Sequence, residues 1–289
     1  MKDQAQRLRE IVNTRKKPNF QAISITSGKG GVGKTSFTVN LAYHLQKLGK
    51  SVIIFDADLA LANVDILLGE KPKYNLMHLL NGEKTINEII YTSKYGIKFI
   101  PASSGFEELA NLPLEKQLYI LEALQEIYYN FDIMLIDTSA GLSENVINFC
   151  LASDKTIVLT TPDPTALADA YAISRVILTH KPINMELGVV VNMVEDEEEA
   201  LKIYKGMNSI LRSFIGKSIS YYGYIKKDNK LSESVRERYV LSAAYPNSTY
   251  SKNVRAIAQT LISGKEPSTE PNTSFWKKVI SYWKNLAIE

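Results

Sequence analysis

The chain carries a glycine-rich stretch near its amino end, Gly28-Lys29-Gly30-Gly31-Val32-Gly33-Lys34-Thr35. This stretch fits the phosphate-binding pattern G-x-x-x-x-G-K-[ST], which is specific only when a strand precedes it and a helix follows it. The β-branched run at 22–26 predicts that strand, and apolar residues at helical spacing over 37–48 predict that helix. A chance glycine-rich turn is the alternative, and both flanking elements disfavour it.

The loop supplies the groups that hold a nucleoside triphosphate. Its glycines let backbone N–H groups turn inward on the phosphates, and the start of the following helix adds a favourable dipole. Lys34 is expected to reach the β- and γ-phosphates, and the Thr35 hydroxyl is expected to ligate Mg²⁺. The predicted nucleotide-binding loop comprises Gly28, Lys29, Gly30, Gly31, Val32, Gly33, Lys34, Thr35 and Ser36.

Apolar runs alternate with helical patterns along the chain beyond this loop. Short β-branched runs, which predict buried strands, occur at 52–55, 97–100, 133–136, 156–160, 187–191 and 222–225. Apolar residues at helical spacing occur at 114–128, 166–178, 232–238 and 248–261, and a solvated helix opens at the acidic run 195–199. This alternation predicts an α/β fold, a mostly parallel sheet flanked by helices on both faces.

Two of these strands deliver carboxylates to the sheet edge where α/β proteins bind ligands. The run at 52–55 is followed by Asp56 and Asp58, and the run at 133–136 is followed by Asp137. An apolar strand that ends in an aspartate is the Walker B arrangement, which holds Mg²⁺ directly or through water. We therefore expect Asp137 to join Thr35 at a magnesium site.

Lys29 is a second lysine inside the loop, and with it the run resembles the deviant Walker A loop, K-G-G-x-G-K-[ST], of the MinD/ParA class of P-loop ATPases. The resemblance implies an ATP-dependent homodimer in which Lys29 reaches the partner's nucleotide and adds positive charge, as an arginine finger does. It also implies that Asp58 positions or activates the attacking water, that Asp56 belongs to the Mg²⁺ shell, and that Gly141 senses the γ-phosphate. Lys29, Lys34 and Asp58 are thus the expected catalytic residues. The alternative for Asp56 is a cap on the loop that follows it.

Recognition of the base depends on weaker signals. Asn192 follows the run at 187–191 and matches the strand-end asparagine that hydrogen-bonds adenine in this class, with a simple turn residue as the alternative. Pro162 and Asp163 match a segment that flanks the base, and Pro246 is expected to cover its other side. The sequence lacks the N-K-x-D pattern of GTPases, so ATP is the expected nucleotide.

The leader before the first strand, residues 1–19, is basic, with a net charge of +4. Its motif D-Q-A-x-x-L-R resembles that of the FlhG family (also called FleN or YlxH), MinD-like ATPases that regulate flagellar number. The resemblance implies a short helix that stimulates the GTPase FlhF, a signal-recognition-particle-type protein, through Asp3, Gln4, Leu8 and Arg9. A featureless basic leader is the alternative. MinD itself lacks such an extension.

The chain ends in an amphipathic helical stretch, residues 274–289, which the proline-containing linker 264–273 sets apart from the domain. Its large apolar side chains fall on one side and its lysines towards the other, as in a helix that lies on an anionic membrane. The expected membrane-facing residues are Phe275, Trp276, Val279, Ile280, Trp283 and Leu286. A terminal helix docked on the body is the alternative. The resemblance implies docking in the ADP-bound or nucleotide-free monomer and release in the ATP dimer.

Composition and charge exclude other classes of protein. The 289 residues carry a formal net charge of +3, but residues 20–263 carry −2, which disfavours a DNA-binding surface. A single cysteine, Cys150, excludes an internal disulfide and the paired-cysteine cluster of nitrogenase-iron-protein relatives. No apolar run reaches the ~20 residues of a membrane-spanning helix. We therefore expect a cytoplasmic protein that associates reversibly with the inner face of the cell membrane.

The expected organisation is one ATPase domain, 20–263, with the leader, the linker and a membrane-targeting helix at its ends. Such a protein would bind ATP and Mg²⁺, dimerise and hydrolyse ATP slowly. The resemblance implies regulation of flagellar number or placement through FlhF, with flagellar C-ring proteins as further partners, and no specific nucleic acid is expected. Two alternatives stay open: the division-site ATPase MinD, and a ParA-type ATPase that segregates DNA.

Overall fold

The computed structural model describes residues 20–58, 63–101, 114–183, 185–263 and 275–286. Its strands are β1 (Gln21–Ser27), β2 (Val52–Ala57), β3 (Tyr91–Thr92), β4 (Lys98–Ile100), β5 (Ile133–Ala140), β6 (Lys155–Thr160), β7 (Glu186–Val194) and β8 (Ser220–Lys226). Its helices are α1 (Lys34–Lys47), α2 (Val64–Leu68), α3 (Leu76–Leu80), α4 (Ile86–Ile89), α5 (Leu114–Asn130), α6 (Glu144–Ala152), α7 (Pro164–His180), α8 (Glu197–Ile215), α9 (Asn229–Glu237), α10 (Leu241–Ala244), α11 (Thr249–Ser263) and α12 (Phe275–Leu286).

The strands form one eight-stranded sheet in the order β3-β4-β2-β5-β1-β6-β7-β8. β3 and β4 are antiparallel, and the other pairs are parallel. The predicted α/β fold with a mostly parallel sheet is therefore confirmed, and every strand expected from the sequence is present. Strand β3 has only two residues, too few for a sequence pattern to predict it.

Helices cover both faces of the sheet, which explains why its strands are apolar along nearly their whole length. On one face, Ile23 and Ile25 of β1 pack with α1 and α11. On the opposite face, α6, α7 and α8 pack over β6 and β7, and α5 packs over β2 and β5. Asp196 caps the start of α8 by accepting a hydrogen bond from the backbone N–H of Glu199, as expected for the acidic run.

The carboxyl ends of the central parallel strands lie at one edge of the sheet. Asp56 of β2 is in register with Asp137 of β5, and Asp137 is also in register with Ile25 of β1. The glycine-rich loop leaves β1 at this same edge and leads into α1. Residues far apart in the sequence therefore form one potential site.

Helix α12 packs against the body, although the sequence pattern places this stretch beyond a linker and apart from the domain. Its apolar residues are at most 6% exposed and join the core under β2 and β5; they are Phe275, Trp276, Val279 and Ile280. The Trp276 ring lies edge-on to Phe55 of β2 with centroids 5.1 Å apart, and Phe275 stacks on Phe149 of α6. The docked alternative describes this arrangement.

Several sequence-based expectations lie outside the described residues. These are the leader with Asp3, Gln4, Leu8 and Arg9, the linker 264–273, and the side chains of Trp283 and Leu286. Over the ranges that the structure describes, no helix combines the length and the apolar content required to cross a bilayer.

Candidate nucleotide-binding site

The loop between β1 and α1 has the backbone of a phosphate cradle. Gly31 and Gly33 have φ angles of 80° and 92°, in the left-handed region that glycine adopts without a steric cost. Helix α1 begins at Lys34, directly after Gly33, and no described side chain caps its amino end. The first N–H groups of α1 are therefore available to an anion.

Gly28 is required for a different reason, which is close packing against α7. A Cβ atom built at Gly28 would lie 2.4 Å from the carbonyl carbon and oxygen of Asp169. At Gly30, by contrast, such an atom would have no neighbour within 4 Å. The first glycine of the loop thus allows the loop to lie on the backbone of α7.

Asp137 offers an oxygen to a cation. Thr38 donates a hydrogen bond from Oγ1 to Asp137 Oδ1 at 3.1 Å, whereas Oδ2 is buried and has no hydrogen-bond partner among the described residues. Burial raises the pKa of Asp137 to about 6, and the nearby Thr35 hydroxyl and Lys34 charge act in the opposite direction. A buried oxygen without a donor is costly unless an ion or water satisfies it. Because Mg²⁺ prefers such oxygen ligands together with phosphates, the residues present fit this ion.

Asp56 holds the chain that follows β2. Its carboxylate accepts hydrogen bonds from the backbone N–H groups of Asp58, Asn63 and Val64, at 3.1 to 3.3 Å. Burial, and then the charge of Asp137, raise the pKa of Asp56 to about 7. These contacts are those of the loop-capping alternative, and a place in the Mg²⁺ shell stays a prediction.

Lys34 and Asp58 lie at the same edge of the sheet. Burial lowers the pKa of Lys34, while the charges of Asp137 and Asp58 act in the opposite direction. Asn63 donates a hydrogen bond from Nδ2 to Asp58 Oδ2 at 3.2 Å. Lys34 at the start of α1 and Asp58 directly after β2 thus both follow strands that end at the edge of the sheet bearing the loop, and their catalytic roles stay a prediction.

The side chain of Lys29 contacts the start of α7. Its Nζ lies 3.3 Å from Asp163 Oδ1 and donates a hydrogen bond to Thr165 Oγ1, at the start of α7. Asp163 is the N-cap of α7 and accepts hydrogen bonds from Thr165 and Ala166. Hydrogen bonds from Thr165, Ala166 and Lys29, in that order of effect, hold the pKa of Asp163 well below its usual range. A role for Lys29 in a partner's site requires it to leave this contact.

Asn192 links the end of β7 to the glycine-rich loop. It is buried; its Nδ2 donates to the Val32 carbonyl at 2.8 Å, and its Oδ1 accepts from the Met193 N–H at 2.9 Å. The side chain therefore fixes the loop to the end of β7. Its hydrogen bond to adenine stays a prediction. Pro162 is half-buried before α7, and Pro246 is exposed between α10 and α11.

The structure adds residues that the sequence-based set lacked. Thr38 holds Asp137, and its place one turn after Lys34 on α1 is a signal that helical spacing could have supplied. Thr165 binds Lys29, and the Asp163-Pro164-Thr165 start of a helix is a comparable signal. Asn63 and Met193 have no such signal, because Asn63 lies in the segment between β2 and α2 and Met193 lies at an irregularity in the pairing of β7 with β8.

Known proteins resemble this chain along nearly its whole length. Residues 20–189 match the family model described as an AAA domain. The flagellum site-determining protein YlxH of Helicobacter pylori is 35% identical over 98% of this chain and 99% of its own length. The antiactivator FleN of Pseudomonas aeruginosa is 32% identical over 86% of this chain and 88% of its own. The chain belongs to the FleN/YlxH family of MinD-like ATPases.

Solved structures show the same fold in MinD. A chain of the MinC:MinD cell division protein complex of Aquifex aeolicus matches with a TM-score of 0.68 and 25% identity, covering 86% of this chain and 98% of that one. MinD of Pyrococcus horikoshii complexed with Mg-ADP matches with a TM-score of 0.66 and 22% identity, covering 85% and 98%. These structures show that MinD shares the fold of this chain, whereas the relatives YlxH and FleN confirm the family predicted from the sequence.

Proposed function

We propose that this protein is an ATP-driven switch that binds Mg·ATP, forms a homodimer, hydrolyses ATP slowly and regulates flagellar number or placement. The observation that carries the proposal is the sheet edge of this FleN/YlxH family member that bears the glycine-rich loop, Lys34 and an Asp137 oxygen with no hydrogen-bond partner among the described residues. Each of these groups suits a polyphosphate with its cation.

The chain's own residues have distinct tasks in this mechanism. The loop N–H groups and Lys34 hold the β- and γ-phosphates, while Thr35 and Asp137 hold the cation. When bound, Mg²⁺ neutralises negative charge on the phosphates. Asp58 orients the attacking water, because it directly follows β2 at the sheet edge that bears the loop.

Substitution of Asp58 tests this mechanism. We expect Asp58→Ala to keep Mg·ATP binding and to accumulate dimer, because the water is no longer positioned while the phosphate contacts remain. Phosphate release and nucleotide affinity are measured side by side, with Lys34→Ala as the variant that loses binding. Normal turnover by Asp58→Ala would contradict the role of Asp58.

Dimerisation would place Lys29 in the partner's site, as the MinD/ParA resemblance implies. Lys29 is about half exposed, and its partners Asp163 and Thr165 are exposed too, so solvent can replace these contacts at a small cost. In the dimer its charge would face the phosphates at which negative charge develops.

We propose that α12 targets the anionic inner face of the cell membrane when it leaves the body. The side chains that would enter lipid include those now buried against β2 and α6, so one helix face cannot serve both sites at once. One helix with few lysines binds membrane weakly, and two copies in a dimer gain avidity. The bound nucleotide would thus determine whether the protein is in the cytoplasm or on the membrane.

The proposed output is stimulation of FlhF through Asp3, Gln4, Leu8 and Arg9, with flagellar C-ring proteins as further partners. Deletion of residues 1–19 should abolish stimulation of the FlhF GTPase and spare the basal ATPase. Substitution of Asp3 and Arg9 alone is the matched, smaller change. Stimulation that survives the deletion would contradict this output.

The names of the relatives favour a flagellar role over division-site selection. YlxH and FleN match 98% and 86% of this chain, whereas MinD of Thermotoga maritima matches 59% of it at 31% identity. A ParA-type role in DNA segregation would require ATP-dependent DNA binding that survives removal of both basic ends, because residues 20–263 carry a net charge of −2.

A further inference from the structure

Thr38 is a fully buried polar residue of α1 that the proposed mechanism does not use. Its exposed fraction is 0%, and it lies about one helical turn after Lys34, the first residue of α1. A hydroxyl group that is removed from water is costly unless it is hydrogen-bonded. The partners of this hydroxyl should therefore explain why a threonine occupies the position.

The Thr38 hydroxyl lies between two acceptors. Its Oγ1 is 3.0 Å from the Lys34 carbonyl oxygen and 3.1 Å from Asp137 Oδ1. A hydroxyl has only one proton to donate. Donation to the carboxylate is the stronger choice, because a hydrogen bond to an ionised acceptor is about twice as strong as one between neutral groups. The carbonyl does not depend on the hydroxyl, since it also accepts the backbone N–H four residues later in an α-helix.

The hydrogen bond from Thr38 fixes the orientation of the Asp137 carboxylate. The terminal torsion of an aspartate is otherwise broad, so a carboxylate without a donor can rotate. The two oxygens of a carboxylate are rigidly joined, and a donor at Oδ1 therefore also sets the position of Oδ2. Oδ2 is buried and has no hydrogen-bond partner among the described residues, which leaves it for a cation.

Thr38 differs from Thr35, the hydroxyl residue that is expected to ligate Mg²⁺ directly. Thr35 is half-buried in the first turn of α1, whereas Thr38 is completely buried three residues further along the helix. The Thr38 hydroxyl is already engaged with Asp137 and can keep this contact when an ion is bound. Its effect on the ion would therefore pass through Asp137.

We propose that Thr38 is a positioning residue for magnesium, whose hydroxyl holds Asp137 Oδ1 so that Oδ2 is presented to the cation. The inference rests on the proposed binding of Mg·ATP and adds a residue that the glycine-rich motif does not include. Groups that hold a metal ligand in place affect metal affinity strongly although they do not touch the ion. The affinity of the site for Mg²⁺ should therefore depend on this one hydroxyl.

Three substitutions of Thr38 test the role of the hydroxyl. Thr38→Val removes it and keeps the branched shape, whereas Thr38→Ser keeps it and removes the methyl group. Thr38→Ala also removes it and favours the helix, so this variant covers the case in which valine disturbs folding. Thr156→Val is the matched control. Thr156 is equally buried and donates a hydrogen bond of 3.1 Å to the Cys150 carbonyl, but it lies at the amino end of β6, away from the edge with the loop.

The measurements are the affinity for ADP over a range of Mg²⁺ concentrations and in EDTA, and the thermal midpoint without nucleotide. We expect Thr38→Val and Thr38→Ala to raise about 10-fold the Mg²⁺ concentration at which half of the tightening of ADP binding is reached. Their ADP affinity in EDTA should stay unchanged. Thr38→Ser should behave as the wild type does, and Thr156→Val should lower the thermal midpoint without changing the Mg²⁺ requirement.

Four results would overturn the inference. An unchanged Mg²⁺ requirement in Thr38→Val and Thr38→Ala shows that the hydroxyl does not position Asp137. An equal loss of ADP affinity with Mg²⁺ and in EDTA assigns Thr38 to the support of the phosphate loop. A similar shift in Thr38→Ser or Thr156→Val shows that the effect is not specific to this hydroxyl. A wild-type protein whose ADP affinity is independent of Mg²⁺ removes the cation site of the proposed function itself, and the inference with it.

Discussion

Gly28 has no room for a side chain because the loop lies on the backbone of α7. We expect Gly28→Ala to lower the free energy of unfolding by about 2 kcal/mol, since its Cβ would lie 2.4 Å from the backbone of Asp169. Gly30→Ala is the matched control and should change stability by less than about 0.5 kcal/mol. Urea unfolding without nucleotide measures both. Equal effects of the two substitutions would contradict the packing argument.

Lys29 is expected to matter for hydrolysis far more than for binding. Lys29→Ala should lower the rate of ATP hydrolysis by roughly 10²-fold or more, because the transition state loses a positive charge supplied by the partner. The affinity of the monomer for ADP should fall only modestly, since Lys29 contacts Asp163 and Thr165 in its own chain. Phosphate release and ADP titration measure the two effects. Unchanged hydrolysis would exclude a Lys29 role in the partner's site.

Single residues differ in how far the sequence predicts them. Lys34 and Thr35 were predictable because their spacing between one strand and one helix defines a known motif, and Asp137 was predictable because it ends a second apolar strand. The hydrogen bond from Asn192 to the loop and the exposure of Met193 at the end of β7 were not predictable. The first depends on where the end of β7 meets the glycine-rich loop, and the second depends on the register between β7 and β8; neither long-range contact leaves a local pattern.

Helix α12 contributes core packing in the described structure. Trp276→Ala should lower the free energy of unfolding of the nucleotide-free protein by about 3 kcal/mol, because the ring is buried beside Phe55 and Phe275. Ser281→Ala, at an exposed position of the same helix, is the control and should be nearly neutral. Denaturant unfolding measures the difference. A neutral Trp276→Ala would mean that α12 leaves the body even without ATP.

The packing of α1 on α11 carries a pH dependence. Burial, with the charge of Arg255, lowers the pKa of His44 to about 4, and His44 Nε2 lies 3.1 Å from Ser251 Oγ. Between pH 6.5 and 4 the unfolded chain binds a proton that the folded chain does not. The free energy of unfolding should therefore fall as the pH is lowered, by about 2 kcal/mol at pH 5.

His44→Gln isolates this contribution. Glutamine keeps a polar group near Ser251 and does not titrate, so the variant should lose less stability than the wild type between pH 7 and pH 5. Urea unfolding at the two pH values gives the comparison. An identical loss in both proteins would show that His44 is not the group responsible.

The sequence predicts helices and strands correctly where they are long and well buried. The central strands were predictable because both of their faces are covered, which leaves a continuous apolar run. Helices α2, α3 and α4 have five residues or fewer, too short for helical spacing to appear. The docking of α12 was not predictable, since an amphipathic helix with aromatic residues suits lipid and a protein groove equally well.

For the protein as a whole, the different net charges of the leader and the ATPase domain support a switch between a cytoplasmic and a membrane-bound location. The net charge of +4 on residues 1–19 contrasts with −2 on residues 20–263. The basic leader therefore suits an acidic partner surface, whereas the body is suited neither to DNA nor to anionic lipid by itself. Membrane affinity would depend on the release of α12, and release in turn on the nucleotide.

The most direct test of this switch is the mass of the protein in solution with each nucleotide, measured by light scattering with Mg²⁺. The chain has a mass of 32.4 kDa, so ADP should leave a single species of that mass. A non-hydrolysable ATP analogue should produce a species of twice that mass in the wild type and none in Lys34→Ala. A wild-type protein that binds the analogue and stays at 32.4 kDa would contradict the account.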